Sequence, residues 1–107
     1  MIIRSAQFLG SVAAEHQAYF DRVVDEQVRQ EMLQFPEIRN LEILRRVDMD
    51  AGARPIYQIY NLSFDDIPAM ERALASPIRA AVHKAMQPIL PLFEGEIVHY
   101  VLSSDHS

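Results

Sequence analysis

The sequence predicts an α+β fold: four strands in one antiparallel sheet, in the order β-α-β-β-α-β, with the helices on one face. Three observations predict it. Four short runs are dense in β-branched and aromatic residues. Two stretches between them carry apolar residues at helical spacing. Proline, glycine and aspartate punctuate the joins. A chain of 107 residues has room for one such unit, so residues 1–107 are expected to form a single domain.

Ile2 to Leu9 is apolar at both parities, with Ile2, Ala6 and Phe8 on one face and Ile3 and Leu9 on the other, as in a central strand covered on both sides. Gly10 is expected to end it and Ser11 to cap the next helix. From Val12 to about Leu33 there is no Gly or Pro; Val12, Tyr19, Phe20 and Val23 form an apolar stripe, and Asp21, Asp25 and Arg29 lie away from it. Phe35-Pro36 stops the helix, since the residue before proline disfavours helical dihedrals. Glu37 to Asp48 reads as a strand whose charges, Glu42, Arg45 and Arg46, suit a sheet edge. After a turn at Asp50 to Ala53, Pro55 to Phe64 is the clearest strand. Asp66-Ile67-Pro68 opens a helix to about Ala75, and Ser76-Pro77 opens another with Ile78, Val82, Ala85, Met86 and Ile89 on one face. Glu96 to Ser103 is the last strand, and the tail Asp105-His106-Ser107 is expected to fray.

Composition excludes several classes of function. Ten basic against fifteen acidic residues give a net charge of −5, the wrong sign for a nucleic-acid binder. Cysteine is absent, which removes disulfides, thiolate catalysis and zinc–thiolate sites and fits a cytoplasmic protein. No apolar run is long enough to span a membrane. The four histidines, 16, 83, 99 and 106, share no metal-ligand spacing, and no Gly-rich phosphate loop is present, so no metal or cofactor is expected.

Several motifs resemble one family along nearly the whole chain. They are Tyr19-Phe20 in the first helix, Phe35-Pro36-Glu37-Ile38-Arg39 leading into the second strand, Tyr60-Asn61-Leu62-Ser63-Phe64-Asp65-Asp66 at the end of the third strand running into the next helix, and Ala73-Leu74-Ala75-Ser76-Pro77 between the helical pieces. In this order they resemble the EthD-like proteins of the dimeric α/β-barrel superfamily, whose fold is ferredoxin-like. That family often has Ile-Pro-Gly-Leu where Pro36-Glu37 stands here, and a His-x-Pro where this chain reads Asp21-Arg22-Val23. Arg79 occupies the place of a histidine base in barrel cyclases. The resemblance implies a small-molecule protein of catabolic or secondary metabolism. It would carry out cofactor-free cyclase, isomerase or lyase chemistry, with a non-catalytic metabolite binder or a cofactor-free monooxygenase as the alternatives.

Site residues are sought as polar groups on apolar faces, in a pocket between the sheet and the first helix. His16 shares a stripe with Tyr19, Phe20, Val23 and Gln27, which makes it the candidate base. On the third strand Gln58 and Tyr60 share one parity and Tyr57 the other; either set can line a cavity and orient a substrate oxygen. Arg79 borders the apolar face of the last helix, where it can hold a carboxylate or enolate. His83 lies further round that helix, and His99 either enters the cavity or caps the sheet edge. Apolar residues at both parities of the third strand leave one sheet face for a second copy to cover, which predicts a homodimer around a small hydrophobic molecule.

Overall fold

The first strand organises the molecule. In this computed structural model, which describes residues 1–104, β1 (Ile2–Val12) pairs antiparallel with β3 (Ile56–Phe64) on one side and β4 (Phe93–Ser103) on the other. The short β2 (Asn40–Arg45) pairs with β3 at the edge, giving the order β2-β3-β1-β4. The expected tail, Asp105 to Ser107, lies outside the described residues.

β1 does not stop at Gly10. It runs to Val12 because Gly10 sits opposite Gly95 of β4, where the two backbones nearly touch. A Cβ on Gly10 would lie 2.0 Å from the carbonyl oxygen of Glu94, and one on Gly95 2.1 Å from that of Leu9. Both glycines also hold positive φ, 155° and 148°. The pairing lengthens β4 in turn, so it starts at Phe93 rather than Glu96. Ser11 belongs to the strand, and the helix begins after Ala13 with no side-chain cap.

The first helix is α1 (Ala14–Val23), a π-helical segment (Val24–Val28) and a last turn, α2 (Arg29–Met32). The π segment widens the helix by one residue per turn and rotates the turns beyond it. The buried row is therefore Phe20, Val23, Val24, Val28 and Met32. The expected stripe is corrected at three positions: His16, Tyr19 and Gln27 all face solvent.

After Pro36, Glu37 takes φ 63°, a left-handed conformation that favours glycine. This is where the resembled family often has Gly. Here Arg72 of α3 (Ile67–Leu74) grips the Glu37 carboxylate through two bonds, 2.6 and 2.8 Å long. α3 starts as expected, with Asp66 Oδ1 accepting from the Ala69 amide at 2.8 Å. α4 (Ile78–Met86) comes next, burying Met86 and, just beyond it, Ile89.

The core lies between the helices and the sheet face formed by Phe8, Tyr60, Leu62 and Phe64. Phe8 is its hub, its ring centroid 4.9 Å from Tyr60, 5.2 Å from Phe93 and 6.4 Å from Phe20. No helix covers the opposite sheet face. Ile3, Leu9, Ile59 and Val98 lie on it half-buried, with Leu44, Tyr100 and Leu102 exposed. Asn61 Oδ1 on the same face is buried without a hydrogen-bond partner among the described residues. No helix among the described residues is long and apolar enough to cross a membrane.

Candidate functional site

Two polar regions lie under the helices, one beneath α1 and one beneath α4. The first is made by a break in the β1–β3 register between Phe8 and Leu9, which leaves Tyr57 unpaired as a bulge. A bulge re-aims a side chain. Tyr57 and its neighbour Gln58 both reach the α1 side, although alternation would send them to opposite faces. Tyr57 packs edge-on against Phe20, with centroids 5.3 Å apart.

Asp21 collects both groups. Its Oδ1 accepts from the Tyr57 hydroxyl at 2.9 Å and from Gln58 Nε2 at 2.7 Å. Gln58 Oε1 accepts from the Tyr60 hydroxyl at 2.7 Å. Arg45 of β2 closes the network from the sheet edge, with Nη2 donating to Asp25 at 2.8 Å and Nε 3.8 Å from Asp21. Burial raises the hydroxyl pKa of both tyrosines, and the bond to Asp21 raises that of Tyr57 further. The hydrogen bond from Arg45 holds the Asp25 carboxyl below its ordinary range. Tyr60 and Gln58 are fully buried and fully paired, so this network fixes side chains in place.

The second region is a cavity of about 650 Å3. Ala6, Phe8, Tyr60 and Leu62 form its sheet floor, Val82 and Met86 of α4 one wall, and Met32 and Phe35 another. The cavity meets the first helix only at its last turn, through Met32. Phe20, Val23, Val24 and the Asp21 network fill the space beneath α1, and the cavity lies further along, under α4.

Besides the hydroxyl residues Tyr60 and Ser76, its polar side chains are basic: Arg4, Arg79, His83 and His99. In the β1–β4 register Ala6 faces His99 and Arg4 faces Val101, so Arg4 and His99 are diagonal neighbours on one sheet face. Burial, then Arg4 and Arg79, hold the His99 imidazole below its ordinary pKa of 6.5. Burial, with Arg79 nearby, also lowers the pKa of Arg4. Among the described residues no acidic side chain lines the cavity.

Four of the candidates from sequence, Tyr60, Arg79, His83 and His99, thus come together here. Tyr57 and Gln58 belong to the buried network, and Phe20 and Val23 to the core. His16, the candidate base, does not reach the cavity. It is exposed in the first turns of α1, with Nε2 3.8 Å from the adjacent Glu15. Tyr19 carries the Arg22 guanidinium 5.5 Å above its ring, and Gln27 is exposed. Sequence reasoning missed Arg4, Asp21 and Arg45. Among the described residues no three His, Asp or Glu side chains come close enough to hold a metal ion.

No protein-family model matches the chain, and no curated protein matches it. Solved structures do. One is an ethyl tert-butyl ether D (EthD) family protein from Bacillus halodurans, with TM-score 0.76 and 14% identity over 98% of this chain and 100% of that one. Another is a point variant of SnoaB, a cofactor-independent oxygenase from Streptomyces nogalater, with TM-score 0.67 and 18% identity over 99% and 94%. A third is a dimeric ferredoxin-like protein of unknown function from Thermobifida fusca, with TM-score 0.65 and 14% identity over 95% and 89%. Likeness at these identities establishes the ferredoxin-like α+β fold. It also agrees with the EthD-like resemblance carried by the motifs.

Proposed function

We propose that this chain, with the ferredoxin-like fold it shares with the EthD family protein, binds a small, largely apolar molecule under α4 and moves a proton next to one of its carbonyl groups. The supporting observation is the cavity itself, with apolar walls on which Tyr60, Arg79, His83 and His99 converge. His99 replaces His16 as the base. Its lowered pKa leaves it neutral near pH 7 and free to accept a proton from carbon. The electron pair left behind becomes an enolate, whose oxygen Arg79 stabilises. The imidazolium returns the proton at the position that completes a cyclisation, isomerisation or elimination. Tyr60, held by Gln58, keeps the cavity floor in one shape. No cofactor takes part in this reading, and the cysteine-free composition favours a cytoplasmic location.

A second copy covering the open sheet face completes the proposal, as a homodimer with two-fold symmetry. Tyr100 and Leu102, 49% and 45% exposed, supply apolar surface for it. The Thermobifida fusca neighbour is itself described as dimeric.

The test is deuterium exchange. Aryl ketones are incubated with the protein in D2O, and label at the carbon next to the carbonyl is followed by NMR. Protein-dependent exchange is expected, lost in His99→Gln and kept in His16→Gln. Binding without exchange would make the chain a metabolite carrier. Oxygen consumption with a quinol would make it an oxygenase, the activity named for SnoaB. Neither binding nor exchange would end the reading.

A further inference from the structure

Arg4 is an unusual residue for its position. It stands on an interior strand, on the helix-covered face, with Leu62 and Val101 opposite it on the two flanking strands. Arg4 is half-buried there, so its guanidinium is partly stripped of water. Elsewhere Arg29, Arg39, Arg45, Arg54 and Arg72 each meet a carboxylate, and Arg22, Arg46 and Lys84, which meet none among the described residues, are exposed to water. Among the described residues neither Arg4 nor Arg79 forms an ion pair, although the protein has an excess of acidic side chains. Both line the same cavity, whose remaining surface is overwhelmingly apolar.

We propose that the cavity selects an organic monoacid, with its apolar body along Phe8, Leu62 and Met86 and its carboxylate held by Arg4 and Arg79. The proposal rests on the reading of the cavity as a small-molecule site and names the substrate class. A guanidinium offers a planar pair of donors that matches a carboxylate. A monoanion leaves one of the two guanidinium charges to meet the enolate, and burial with the two arginines disfavours a further charge on His99. The two arginines divide the work. Arg4, on the rigid central strand, holds the fixed charge. Arg79, exposed on the first turn of α4, also reaches an enolate as it forms.

The test compares three probes of one shape, 1-naphthylacetate, 1-naphthylacetamide and 1-naphthyl phosphate, by calorimetry at low ionic strength. The acid should bind at least tenfold more tightly than the amide, and the advantage should shrink as salt rises. Arg4→Gln should bring acid and amide to near parity, and Arg4→Lys should restore part of the difference. Arg79→Gln, at an exposed position that the fold does not depend on, should cut the advantage several-fold. Equal binding of acid and amide would overturn the anion proposal and leave the apolar site standing, as would an acid advantage that survives both glutamine variants. Tighter binding of the phosphate would replace the carboxylate as the ligand class and also overturn it. If no probe binds at millimolar concentration, the site reading and the proposal fall together.

Discussion

The polar groups under α1 and those under α4 are built from similar parts and end in opposite conditions. Beneath α1, Tyr57, Gln58, Tyr60, Asp21 and Arg45 each have partners inside the protein. Beneath α4, Arg4 and Arg79 have none among the described residues, and open space lies beside them. A satisfied network contributes rigidity and has nothing left to offer a ligand. An unsatisfied cationic cluster contributes little to folding and keeps its donors available. Tyr60 belongs to both, with its hydroxyl in the network and its ring in the cavity floor. One region therefore braces the other.

The comparison can be broken first at the ring that packs against Tyr60, the residue the two regions share. Phe8 touches the rings of Phe20, Tyr60 and Phe93 and lines the cavity. Phe8→Ala should cost about 3–5 kcal/mol in urea unfolding at fixed protein concentration. A loss below about 1 kcal/mol would mean that the two regions stand independently.

A smaller effect separates them. Asp21→Ala strands the Tyr57 hydroxyl and the Gln58 amide, at a cost of about 2–3 kcal/mol, while Asp21→Asn keeps an acceptor and should lose less. Arg79→Gln in the other region should stay within about 0.5 kcal/mol of the parent. Equal losses for Asp21→Ala and Arg79→Gln would erase the distinction between structural and ligand-facing polar groups.

The smallest effect is a pH dependence. Burial, Arg4 and Arg79 lower the folded-state pKa of His99, so the unfolded chain takes up this proton at higher pH than the folded chain. Stability should fall as pH drops through about 6.5, then level off once the folded imidazole is also charged. His99→Gln should flatten that limb when urea midpoints are compared between pH 5 and pH 8. An unchanged limb would place the histidine outside the influence of the two arginines.

The architecture was legible because it rests on local signals. Asp66 caps where its side chain can reach the Ala69 amide, prolines mark the helix starts, and charges keep β2 at the edge. The site was less legible because three features depend on the assembled sheet. The Tyr57 bulge exists only once β1 and β3 are in register, and it is what brings Tyr57 beside Gln58 at Asp21. The π segment turns Gln27 outward, although ideal helical spacing puts it in line with Phe20, and His16 is exposed in the first turn of α1. Asp21 and Arg45 looked like an outward helix charge and an edge charge, and folding brings them within 3.8 Å. Arg4 did leave a signal. It shares the parity of Ile2, Ala6 and Phe8, so a covered strand face with one guanidinium in it was readable from alternation alone.

The Gly10–Gly95 contact bears on how freely the binding end can change. The alignment that sets Arg4 diagonal to His99 is secured at the far end of the same strand pair, where two bare backbones fit only each other. No residue of α4 takes part in that alignment. The pocket walls on α4 can therefore be randomised for new ligands while the sheet keeps its register, and a library at Arg79, Val82, His83 and Met86 would sample specificity on an unaltered frame. The same library with Gly10 or Gly95 included would return mostly misfolded chains.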